Sequence, residues 1–70
     1  MITKENALQI AQENAGVYYR DLSVYDVEIK LVEGNWQVDY EFRDENIDGG
    51  GPHYLISGTT GEIISFRFEQ

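Results

Sequence analysis

Cysteine is absent from this chain, so neither a disulfide nor a thiolate metal site can supplement its core, a composition that fits a reducing compartment. Long apolar runs are missing too. No stretch approaches the ~20 residues that a membrane-crossing helix needs, and the first residues, MITKENALQIAQ, lack the basic-then-apolar layout of a signal peptide. The chain as written therefore reads as cytoplasmic, or as secreted or periplasmic if an upstream signal has been removed. Cations are scarce: 5 basic residues stand against 13 acidic ones, a net charge of −8. Such a balance repels polyphosphate backbones and anionic lipid heads, which argues against nucleic-acid and membrane partners and favours a partner protein with a basic surface. Nucleophiles and bases are few. The chain has 1 His, no Cys, and no Ser in a nucleophile elbow, so no catalytic residue is assigned, and nothing in it calls for a metal or an organic cofactor.

What is present fits a single domain of 70 residues, small enough that only roughly 60% of the unfolded chain's surface is buried on folding. One segment reads as a helix. Thr3 is suited to cap its free N–H groups, Glu5 places an anion in its first turn, and Ile2 and Ala7 are spaced as a hydrophobic staple. Leu8, Ala11, Ala15 and Tyr18 recur at helical spacing and predict an apolar stripe, widened by Ile10. Gly16 either ends this helix or lies within it, which puts the end between residues 15 and 20.

From Val24 onward the period becomes two. YDVEIKL places Tyr25, Val27, Ile29 and Leu31 on one face, and WQVDYEFR does the same with Trp36, Val38, Tyr40 and Phe42. Gly34-Asn35 between them predicts a two-residue hairpin turn, which pairs Leu31 with Val38, Ile29 with Tyr40 and Val27 with Phe42. On the other face the same register sets Lys30 opposite Asp39, Asp26 opposite Arg43, and Glu28 opposite Glu41. A second hairpin follows, HYLIS and EIISFRFE around GTTG. A three-residue loop of Thr59, Thr60 and a left-handed Gly61 pairs Ile56 with Ile64 and Tyr54 with Phe66, and turns His53, Leu55, Ser57, Ile63, Ser65 and Arg67 to the opposite side. The expected fold is α+β: an N-terminal helix packed on one face of a four-stranded antiparallel meander (αββββ), the other face open to water.

Between the hairpins lies RDENIDGGGPHY. Asp44, Asn46, Asp48 and Gly49 match the first positions of an EF-hand calcium loop, but its twelfth position, where a bidentate Glu is needed, holds Leu55, which allows weak calcium occupancy at most. A phosphate cradle fits worse, because the glycines run through Pro52 into a strand and no Lys follows them. The remaining readings are a solvated connection, with glycines supplying unusual backbone angles, and a flexible loop that closes on a partner. His53 is read as a partner contact, having no nucleophile to serve. Glu28 and Glu41 would make an acid/base pair only in a pocket that desolvates them, and a flat sheet face offers none.

The segments ITKENALQIAQENAG, NWQVDYEF and HYLISGTTGEIISFRFE together resemble the PepSY domain over nearly the whole chain, with Ser57 where that family usually carries Asp. GGGPHYLI followed by TTGEII is similar to small bacterial immunity proteins of the nuclear-transport-factor-2-like grouping. Both resemblances imply a non-catalytic binding or inhibitory module. The immunity resemblance implies a protein that neutralises a toxin partner. The PepSY resemblance implies a peptidase-inhibitory or sensing module working outside the cytoplasm. The open face would then bind through Glu28, Asp39, Glu41, His53, Leu55, Ile63 and Arg67. A structural homodimer closing over Leu55 and Ile63 is the remaining possibility.

Overall fold

The computed structural model describes residues 1–44 and 50–68. Helix α1 (Lys4–Tyr18) is followed by strands β1 (Tyr25–Val32), β2 (Asn35–Phe42), β3 (Pro52–Ser57) and β4 (Ile63–Phe68). All neighbours pair antiparallel in the order β1-β2-β3-β4, the meander expected from the sequence. No helix among the described residues is long and apolar enough to cross a membrane.

Thr3 starts the helix as anticipated. Its hydroxyl accepts from the Asn6 N–H at 3.1 Å, while the Asn6 side chain takes the reciprocal bond of a capping box. Gly16 lies inside the helix, which ends at Tyr18 with the Tyr19 N–H bonded to the Ala15 carbonyl at 2.9 Å. The buried row differs from the expected one. Ala7, Ala11 and Ala15 are wholly buried, whereas Tyr18 is 58% exposed and Leu8 and Ile10 flank the row half-buried. Three methyl groups at four-residue spacing let the helix backbone lie close to the sheet, and a tyrosine in that row would hold it away.

The helix rests chiefly on β2 and β3, over Val38, Tyr40, Tyr54 and Ile56. Two polar ties fix its placement: the Tyr54 hydroxyl donates to Asn14 Oδ1 at 2.9 Å and the Trp36 indole donates to the Ile2 carbonyl at 3.2 Å. Each satisfies a group that would otherwise be buried without a partner.

The first turn is built from Glu33 and Gly34, not from Gly34 and Asn35. Their φ values of 51° and 82° are the pair that a type I′ hairpin requires. The register consequently moves by two: Leu31 faces Trp36, Ile29 faces Val38 and Val27 faces Tyr40, while Lys30 faces Gln37, Glu28 faces Asp39 and Asp26 faces Glu41. Faces are preserved because the slip is even. Asp26 and Arg43 still meet, diagonally, at 3.0 Å.

In the second hairpin Gly61 is left-handed as expected, but the loop has four residues, 58–61, closed by the Ser57 N–H on the Glu62 carbonyl. Ser57 Oγ accepts from the N–H groups of Thr59 and Thr60, both at 3.2 Å, which caps the turn. A bulge between Leu55 and Ile56 absorbs the extra residue: Ile56 faces Ile63 instead of Ile64, while Tyr54 faces Phe66 and His53 faces Arg67 as anticipated. Ile63 is thereby moved to the helix side, where it packs against the core.

Of the connecting stretch, Asn46, Asp48 and Gly49 lie outside the described residues. Gly51 does not supply an unusual backbone angle; Gly34 and Gly61 are the described glycines with positive φ. Gly51 supplies space. A Cβ there would lie 2.8 Å from the Tyr40 Cβ and 2.9 Å from the Tyr25 ring.

Two stability changes follow from these turns. Glu33→Asn should raise the urea midpoint by the equivalent of roughly 0.5–1 kcal/mol, since the left-handed region costs Glu more than Asn; an unchanged or lower midpoint would contradict the turn assignment. Gly51→Ala should cost about 1–3 kcal/mol by overpacking against Tyr25 and Tyr40, and a loss below ~0.5 kcal/mol would show that the contact gives way freely.

Candidate functional site

The helix leaves one sheet face uncovered, and alternation decides what stands there. From β1 come Asp26, Glu28 and Lys30; from β2, Gln37, Asp39 and Glu41; from β3, His53 and Leu55; from β4, Ser65 and Arg67. β2 and β3 bring Asp39 opposite His53, and β3 and β4 bring His53 opposite Arg67. These residues surround a shallow depression of about 340 Å³, lined by Gln37, Asp39, His53, Leu55, Ser65 and Arg67 together with parts of Tyr54 and Phe66.

Asp39 and His53 form its floor. His53 Nδ1 lies 2.7 Å from one Asp39 oxygen, and the Gln37 amide donates to the other at 3.0 Å. The two side chains are only 13% and 15% exposed, far less than a flat solvated face would leave them. An ionised carboxylate only accepts, so Nδ1 carries the proton in this contact. Nε2 is buried. Asp39 is thus a structural acid with both oxygens engaged, and Asp26, Glu28 and Glu41 are the exposed acids of the face.

Among the seven residues read from the sequence as partner contacts, Asp39, His53, Leu55 and Arg67 line one depression. Glu28 neighbours it across the β1–β2 ladder, and Glu41 stands further along β2, opposite Asp26. Ile63 is not on this face, for the bulge turns it to the core. Gln37 and Ser65 join them in the lining, and strict alternation from Asp39 and Arg67 places both on this side. Cross-strand neighbours on this face carry like charge twice, Glu28 with Asp39 and Asp26 with Glu41. Asp26 is compensated by Arg43, an exposed pair worth at most about 1 kcal/mol. Among the described residues, no group of three or more His, Asp or Glu side chains is arranged to hold a metal ion.

The chain matches no protein-family model, no curated protein and no solved structure.

Behind the depression, on the helix side of β3, Tyr54 is 1% exposed, and its hydroxyl pKa is pushed up to about 12 by burial first and by the nearby tyrosines Tyr40, Tyr19 and Tyr18 second. Burial also raises Tyr40 and, with Tyr25 beside it, Tyr19. In the unfolded chain tyrosine ionises near 10. The folded state therefore holds its protons longer, and this contribution to stability is whole below about pH 10 and disappears as pH rises towards 12. Tyr54→Phe should lower stability at pH 7 by about 0.5–1.5 kcal/mol through the lost bond to Asn14, and should flatten the alkaline decline. Chemical denaturation at pH 7 to 11 would measure both, and an equally steep decline in the variant would contradict the assignment to Tyr54.

Proposed function

We propose that this chain is a non-catalytic protein-binding module, most simply an immunity-type inhibitor, that engages a basic partner protein through its helix-free sheet face. One observation carries the reading: acids stand side by side across β1 and β2, Glu28 with Asp39 and Asp26 with Glu41, on a face that no other described element covers. Like charges directly opposite destabilise a ladder. A partner's cations would offset that cost, and the net charge of −8 would speed the encounter. Leu55, half-buried on the rim of the depression, supplies an apolar contact within the acidic surround. Support for binding over catalysis comes from His53, whose Nε2 is shut away from solvent while Nδ1 is held by Asp39.

The products of genes flanking this one are the natural partners to test, each purified and mixed with the chain in stopped-flow association experiments at several salt concentrations. A cognate partner should bind with a rate that falls as salt rises. Glu41→Lys should slow it several-fold, and Glu28→Lys with Glu41→Lys by roughly tenfold or more, with a shallower salt dependence. Rates indifferent to both variants would remove the acidic face from the proposal.

A further inference from the structure

The outer edge of β1 points to a second use of the molecule, independent of the acidic-face reading. β1 ends the sheet, and among the described residues no strand pairs with its outer side. It runs for 8 residues without a proline or a bulge, two of the devices that usually blunt an edge, and of the charged side chains that serve the same end it carries Lys30 between two apolar residues. β4, the opposite edge, has 6 residues and a bulged ladder.

The direction of the unpaired groups follows from the hairpin. The Arg43 N–H bonds to the Val24 carbonyl at 3.1 Å, so even-numbered residues of β1 turn their backbone groups to β2. Val27, Ile29 and Leu31 turn theirs outward. Their side chains lie on the helix side, where Ile29 packs half-buried against the core while Val27 and Leu31 on either side of it stay 42% and 51% exposed. An apolar row and a row of free backbone donors and acceptors thus coincide along one edge.

We propose that β1 pairs antiparallel with β1 of a second copy, centred on Ile29, to form a continuous eight-stranded sheet. The alternation of β1 makes it self-complementary in this register. Ile29 meets Ile29 of the second copy, and Val27 meets its Leu31 twice by symmetry, so the most exposed apolar side chains of the strand cover one another. On the other face Glu28 meets Lys30 of the second copy, also twice. Glu28 thereby gains a cation beside the Asp39 that repels it within its own chain. Centring one residue earlier would bring Glu28 against itself, and one residue later Lys30 against itself. The Glu28 and Lys30 charges cancel locally at the seam, and the repulsion of the remaining negative charge is confined to about 8 Å at physiological salt. Both helices fall on the same side of the joined sheet, and the two acidic faces become one surface.

Sedimentation equilibrium at physiological salt, from micromolar to sub-millimolar protein, tests this. The wild-type chain should move towards twice its monomer mass as concentration rises. Lys30→Glu sets a carboxylate of the second copy against Glu28 twice and should weaken the dimer roughly tenfold or more, with an unchanged circular dichroism spectrum because position 30 is exposed. The double swap Glu28→Lys with Lys30→Glu should restore the dimer, and so should mixing the two single variants. Glu41→Lys, away from the seam, should leave it intact. A wild-type chain that stays monomeric throughout overturns the proposal and makes Lys30 a guard against edge pairing. A Lys30→Glu variant that dimerises as tightly as the wild type overturns it as well, and a folded double swap that remains monomeric overturns the register.

Discussion

Everything in this molecule depends on how closely a narrow helix lies on two strands. Ala7, Ala11 and Ala15 bring the helix backbone down onto Val38, Tyr40, Tyr54 and Ile56, and the buried core consists of little more than these residues and Tyr25. In so small a domain such contact has to be dense, because few other side chains are available to exclude water. The bond from Tyr54 to Asn14 and the one from Trp36 to the Ile2 carbonyl then set where along the sheet the helix sits.

A helix that covers two strands leaves two others partly bare. Val27 and Leu31 on β1, and Ile64 and Phe66 on β4, stay about half exposed. Aromatic rings close part of the β4 side, where Phe68 lies 5.1 Å from Tyr18, 5.5 Å from Tyr19 and 5.2 Å from Phe66 between ring centroids. No comparable cluster shields the middle of β1 among the described residues. The economy that stabilises the core thus also creates the apolar edge along β1.

The uncovered face is less uniform than its composition implies. Its centre is a half-buried polar arrangement of Gln37, Asp39 and His53, and its exposed acids lie towards β1 and the end of β2. Partial burial of Asp39 is tolerable because both of its oxygens have donors. The face therefore has a rigid floor and a solvated acidic margin, a division suited to presenting charge in a set arrangement.

Alternation, helical spacing and turn residues indicated the helix with its Thr3 cap, the four strands, their grouping into two antiparallel hairpins and the side on which nearly every strand residue stands. Those features are local, and each residue signals them through its period. Register was decided by the fold. Glu33 accepted a left-handed conformation that its residue type disfavours, because a turn there lets Ile29 face Val38 and Val27 face Tyr40 beneath the helix edge. Ile63 changed sides because a four-residue loop required a bulge, and a bulge leaves no trace in hydrophobic periodicity. The pairing of β2 with β3, and hence the meeting of Asp39 with His53, joins residues 14 positions apart across a connection whose sequence carries no register signal. Only packing against the alanine row could select it, since that choice depends on how Tyr54 and Ile56 fit next to Val38 and Trp36.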